Sequence, residues 1–169
     1  KVAAADVNAL MIGERGVGKE MVARRVHCRS KRAEHSFLSI DCSVLDELAL
    51  EREIFGEEAG SFQDVKVKNG LLELANGGTL FLNNVEKLTL HLQAKLYSFI
   101  NEKMAFRVGG HMPYRADVRL MVSATKDLNE LAAQGEFRED LLFAVNSMVL
   151  EIPSLRERVE DIETLATYF

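Results

Sequence analysis

Eight residues carry the densest chemical signal in the chain: Gly13-Glu14-Arg15-Gly16-Val17-Gly18-Lys19-Glu20. Three glycines let a backbone turn tightly and aim its N–H groups inward, and a lysine follows them. That combination cradles the phosphates of a nucleotide when a strand precedes it and a helix follows. The start of such a helix adds partial positive charge. The nucleotide-contacting set read from this stretch is Gly13, Glu14, Arg15, Gly16, Val17, Gly18, Lys19, Glu20 and Met21. The general pattern places Ser or Thr after the lysine to hold magnesium; here that position is Glu20.

The elements that must position this loop are legible on either side. Ala9-Leu10-Met11-Ile12 reads as a buried strand, and residues 21–26 open a helix that runs to about Cys28. A basic run follows, Arg24, Arg25, Arg29, Lys31 and Arg32, read as a solvated helix face and turn. Phe37-Leu38-Ser39-Ile40 is a second strand ending at Asp41-Cys42. Strand ends in an open parallel sheet point into the ligand crevice. Asp41 therefore either faces the nucleotide or caps a following helix together with Ser43. Residues 45–55 have helical spacing, and residues 56–65 form a loop rich in glycine and acid. Phe62 in that loop is either tucked back onto the body or presented to a partner.

Residues 70–75 read as a short helix stopped by Asn76-Gly77-Gly78. Thr79-Leu80-Phe81-Leu82 reads as a central strand covered on both faces, ending at Asn83-Asn84. Residues 88–102 place Leu88, Leu92, Leu96, Phe99 and Ile100 on one helix face. A hairpin-like excursion spans residues 106–114, and residues 118–125 form another central strand ending at Lys126. Helices follow through Leu131 and from Phe137. A short strand over residues 148–152 stops at Pro153, and a helical pattern resumes over residues 156–169. Strands alternate with helices, which predicts an α/β fold with a parallel sheet and helices on both faces.

The 169 residues suffice for one α/β domain. An apolar fraction of 47% and a charged fraction of 28% are ordinary for a globular chain. No apolar run approaches a membrane span, and no signal peptide is read. Both ends read as cut, so a single nucleotide-binding subdomain, residues 1–169, excised from a longer protein is expected. The net charge of -5 argues against a dominant nucleic-acid surface. Cys28 and Cys42 are expected to pack as small hydrophobes in a reducing cytoplasm. His27, His35, His91 and His111 show no ligand spacing and read as structural or surface residues.

Several segments in order resemble one family. The loop at residues 13–20, Gly77-Gly78-Thr79-Leu80-Phe81-Leu82, Leu92-Gln93-Ala94-Lys95-Leu96, Arg107-Val108-Gly109-Gly110, Phe137-Arg138-Glu139-Asp140-Leu141 and Leu155-Arg156-Glu157-Arg158 look like signatures of it. That family is the central AAA+ ATPase domain of bacterial enhancer-binding proteins, the sigma-54 activators. The resemblance covers the chain nearly end to end and implies an AAA+ P-loop NTPase core, with the C-terminal helical lid missing or truncated. The family also carries Glu after its Walker A lysine, as Glu20 does here.

Against that resemblance, five catalytic positions differ. The family's Walker B strand ends in Asp-Glu; this chain has Asn83-Asn84. An amide cannot act as a general base and is a poor ligand for a hard cation in place of a carboxylate. The family's Asn after its second strand is Asp41 here. Its sensor Asn or His is Lys126. Of the arginines that reach a neighbouring subunit's nucleotide, the second aligns with Ala144, while Arg138 remains the inter-subunit candidate. Catalysis of phosphoryl transfer is nearly all positioning and charge neutralisation. No catalytic or metal-binding residue is therefore assigned, and negligible ATP hydrolysis is predicted.

The family's Gly-Ala-Phe-Thr-Gly-Ala loop, which contacts sigma-54, appears as Gly60-Ser61-Phe62-Gln63-Asp64-Val65. The chain thus looks like the VpsR-like branch, whose members act with the housekeeping sigma factor. What the resemblance implies is a transcription regulator with a non-hydrolysing AAA+ domain that serves in regulation and oligomerisation. ATP or another nucleotide, such as a signalling nucleotide, is the expected ligand, and magnesium is not expected to be held well. Expected partners are RNA polymerase holoenzyme with an altered sigma-54 contact, DNA through a separate domain, and further copies of the chain. A bacterial cytoplasmic location and no membrane contact are expected. The alternatives are an active sigma-54-dependent ATPase and a structural fragment that binds no nucleotide.

Overall fold

The computed structural model describes residues 2–59, 67–158 and 160. Strands β1 (Ala9–Ile12), β2 (Phe37–Asp41), β5 (Thr79–Asn83), β8 (Arg119–Ala124) and β9 (Val149–Glu151) form one sheet in the order β2-β5-β8-β1-β9. Every pairing in it is parallel. Two antiparallel ribbons stand apart: β3 (Gly56–Glu57) with β4 (Lys68–Asn69), and β6 (Met104–Phe106) with β7 (Pro113–Arg115). The latter is the hairpin-like excursion expected from the sequence. The former lies at the ends of the acidic loop; the Phe62 reading there falls outside the described residues.

Alternation along the central strands builds two cores. Leu10, Leu80, Leu82, Leu120 and Val122 face one way, against helices α2 (Glu47–Phe55), α4 (Leu90–Glu102), α5 (Leu128–Ala133) and α6 (Glu139–Val145). Ala9, Met11, Phe81 and Met121 face the other, against α1 (Lys19–His27). A strand covered on both sides loses its polar alternation, which is why Leu80, Phe81 and Leu82 run on without a polar residue between them. The short helix α3 (Leu71–Leu74) is bounded as expected. Among the described residues, no helix is long and apolar enough to cross a membrane.

Three local readings are corrected. Arg32 is not solvated: its guanidinium donates to both Asp6 carboxylate oxygens at 2.7 and 2.9 Å, to the carbonyls of Gly78 and Asp117, and to the Asp117 carboxylate. The alkyl stem is buried while the head bridges the N-terminal segment to two turns. Cys28 is exposed, since it follows the last turn of α1 on the solvent side; only Cys42 is buried. The helix expected from residue 88 begins at Leu90, because Val85–Lys87 winds as a tighter single turn and Thr89 caps the helix, accepting from Leu92 N–H. Beyond residue 155, the described part is one turn, Leu155–Glu157, closed by a Ser154–Glu157 capping box. The rest of that helical pattern lies outside the described residues.

Candidate functional site

The glycine loop joins β1 to α1 at the C-terminal edge of the sheet. Gly16 and Gly18 have φ of 83° and 86°, a region that L side chains avoid. Gly18 occupies the N-cap of α1, so the turn that starts the helix cannot be made by a bulkier residue without strain. Val17 between them is buried and anchors the loop to the core. Lys19 opens the helix, is only 7% exposed, and donates to the carbonyls of Gly13 and Glu14, both at 2.9 Å. Burial lowers its pKa, while the charges of Glu86 and then Asp41 oppose that shift. Two arginines strap the loop from the Leu155–Glu157 turn: Arg156 pairs with Glu14, and Arg158 donates to the Val17 carbonyl at 2.5 Å.

Arg15, Gly16, Gly18, Lys19, Glu20, Asp41, Asn83 and Asn84 line one cleft of about 240 Å³. Register brings the far wall together, since Asp41 and Asn83 are direct partners across β2 and β5. The Asp41 carboxylate accepts from Ser43 N–H at 2.8 Å, Ser43 Oγ at 2.6 Å, Asn83 Nδ2 at 3.1 Å and Asn84 Nδ2 at 2.9 and 3.1 Å. Burial raises its pKa, but these donors outweigh it and hold the carboxyl below its usual value. Asp46, not Asp41, caps α2. Asn83 Oδ1 accepts from buried Ser123 Oγ at 2.5 Å, and Ser123 Oγ in turn accepts from the backbone N–H of Asn84 at 3.3 Å. Both amides at the end of β5 thus spend their N–H groups on Asp41. Neither can abstract a proton from water.

Glu20, the residue after the lysine, accepts from Ser39 Oγ at 3.0 Å and Arg24 at 3.3 Å. Met21 points elsewhere: it lines a separate depression on α1 with Val22, Arg24, Arg25 and Cys28. Lys126, Arg138 and Ala144 do not join the cleft. Lys126 is exposed beyond β8. Arg138 pairs with Asp140 at 3.0 and 2.6 Å, and its N–H donates to buried Gln93 of α4. Ala144 is half-buried, its carbonyl accepting from Asn8.

Residues that the sequence does not single out are Ser123 and Glu86; it marks Ser43 only as a capping partner of Asp41, and the strapping arginines only within a signature segment. Glu86 accepts from the Thr125 N–H at 3.1 Å and Oγ1 at 2.5 Å. Its place three residues past the strand end was the only available signal. Among the described residues, no three His, Cys, Asp or Glu side chains converge to hold a metal ion by themselves.

The family model of the sigma-54 interaction domain matches residues 1–151. Over 170 aligned residues the chain is 41% identical to the regulatory protein AtoC of Escherichia coli, covering all of this chain and 37% of AtoC. It is 45% identical over 170 residues to the alginate biosynthesis transcriptional regulatory protein AlgB of Pseudomonas aeruginosa, covering all of this chain and 38% of AlgB. NtrX from Brucella abortus, solved in complex with ATP, superposes with a TM-score of 0.89 at 34% identity, covering 97% of this chain and 35% of that one. The chain spans less than two-fifths of the length of these curated relatives.

Proposed function

Because the chain belongs to the sigma-54 interaction domain family, we propose that it is the nucleotide-binding AAA+ module of a transcription regulator, and that it binds nucleotide without hydrolysing it. The relatives are transcription regulators, and NtrX was solved with ATP, which supports nucleotide binding here. The phosphate cradle fits such a ligand: Gly16 faces open space, with nothing within 4 Å of where a β-carbon would stand, and burial partly desolvates the Lys19 ammonium. Lys19, the loop backbone and the α1 dipole supply the attraction.

One observation carries the loss of hydrolysis. At the end of β5, Asn83 and Asn84 are locked by their amide N–H groups onto Asp41, so that position offers no proton acceptor to an attacking water. The chain then works by binding and assembly in a bacterial cytoplasm, with DNA engaged by another domain. Polymerase is contacted through an altered sigma-54 loop or with the housekeeping sigma factor. Arg138 faces a neighbouring copy in that assembly. A different phosphorylated ligand, such as a signalling nucleotide, fits the same cradle.

The competing reading is an active sigma-54-dependent ATPase, favoured by the overall match to activators. Calorimetry with a non-hydrolysable ATP analogue, beside a phosphate-release assay, separates the two. Binding heat lost in Lys19→Ala, with no phosphate released by the parent chain, supports the proposal. Lysine-dependent release would favour the active enzyme, and no heat at millimolar ligand would leave a structural fragment.

A further inference from the structure

Phosphates held between Arg15 and Lys19 leave a nucleoside to be placed, and a second cavity borders the same loop. It measures about 470 Å³ and shares Gly13 and Glu14 with the loop. Its other walls come from the end of β9 and the turn after it. Loop and wall are in close contact. Ile152 N–H donates to the Ile12 carbonyl at 2.8 Å, and a β-carbon on Gly13 would stand 2.9 Å from the Ile152 carbonyl oxygen. Cradle and cavity are therefore fixed relative to one another, and the cavity has the size of a small-molecule site.

The lining has the parts that hold a flat ring. Ile12, Ile152 and Pro153 supply apolar surface. Arg156 supplies a planar guanidinium, which lies well against a ring face. The three carboxylates of the cavity differ. Both oxygens of Glu14 accept from Arg156. Glu157 accepts from the Ser154 N–H and Oγ through Oε2, and so closes the turn. Glu151 is exposed at the cavity wall and has no hydrogen bond or ion pair among the described residues. Register places it beside Ile12, the last residue before the loop, across β1 and β9.

We infer, on the nucleotide-binding reading above, that this cavity takes the nucleoside and that Glu151 selects guanine. A carboxylate has two acceptor oxygens and no donor. Guanine presents two adjacent donors on its Watson–Crick edge, N1–H and the exocyclic amine, and satisfies both oxygens. Adenine presents one amine there beside a bare ring nitrogen, which meets the second oxygen lone pair to lone pair. A site built for two hydrogen bonds rejects an analogue lacking one, because an acceptor is left unpaired. The ligand class is then a guanine nucleotide, with its phosphates on Lys19 and its base against Glu151.

The test is a calorimetric titration of the chain with GDP, ADP and inosine diphosphate, the last lacking only the exocyclic amine of GDP. The parent chain is expected to bind GDP about tenfold more tightly than ADP, with inosine diphosphate between them. In Glu151→Gln and Glu151→Ala the GDP-to-ADP affinity ratio should fall toward one. Glu151 is exposed, so both variants should unfold at the parent's temperature. Glu157→Gln should keep the preference. Equal or tighter binding of ADP by the parent would overturn the inference, as would a preference that survives Glu151→Ala or is lost only in Glu157→Gln. A parent chain that binds none of the three at millimolar concentration would instead overturn the nucleotide-binding reading.

Discussion

The side-chain amide nitrogen of Asn84 donates to both oxygens of Asp41, at 2.9 Å to Oδ1 and 3.1 Å to Oδ2. The charge of this pair therefore sits at the end of β2, not after β5. Ser43 and Asn83 complete the ring of donors. Removing the carboxylate by Asp41→Ala would leave three side chains and one N–H without their acceptor. We expect a loss of about 1–3 kcal/mol in urea unfolding. The folded pKa of Asp41 lies below its usual 3.8. Its contribution is thus complete above that value and disappears as pH falls through the folded pKa. The variant should show a flatter acid limb below pH 3.8 than the parent; an identical limb would remove Asp41 from the account.

Arg32 ties the N-terminal segment to the sheet through Asp6, and its other hydrogen bonds reach Gly78 and Asp117. Arg32→Ala is expected to cost about 2–3 kcal/mol, since these are hydrogen bonds to charged and carbonyl groups from one nearly buried head. Arg32→Lys should recover less than half, because an ammonium cannot span the fork. Chemical denaturation checks both, and loss of protection at Val2–Asn8 in hydrogen exchange should accompany the first.

The two cysteines should separate cleanly in a thiol-labelling experiment. Burial, then the charges of Asp41 and Glu86, push the Cys42 thiol up to about 12, so it stays protonated and covered at neutral pH. One equivalent of maleimide should react quickly, at Cys28. The second should react at the rate of unfolding. Rapid labelling of Cys42 in the native chain would contradict the buried position.

Gly18→Ala places a side chain where φ is 86°. The left-handed region costs about 1–2 kcal/mol for a residue with a β-carbon. Thermal unfolding should fall accordingly, and the thermal shift on adding nucleotide should shrink with it. Gly78→Ala tests a different constraint, because a β-carbon there would stand 2.2 Å from the Ser36 carbonyl oxygen. It should be the more damaging of the two while leaving the cradle chemistry intact.

Much of this was legible in the residues alone. The apolar run Thr79–Leu82 announced a doubly covered strand, and the glycine loop announced the turn between β1 and α1. Side-chain partnerships were not legible, because they depend on register between strands distant in sequence. Asp41 meets Asn83 only through the β2–β5 pairing. Glu86 reads as one more acid on a turn until β8 brings Thr125 beside it. Arg32 likewise looks like part of a solvated basic run until Asp6 and Asp117 converge on it.

The central claim is that the cleft keeps its grip on phosphate while lacking the base that would cleave it. Phosphate release by the purified chain, in saturating ATP and Mg²⁺ and across protein concentration, tests it most directly. The account predicts a rate no greater than that of Lys19→Ala. Turnover near about one per second, abolished by Lys19→Ala, would contradict it.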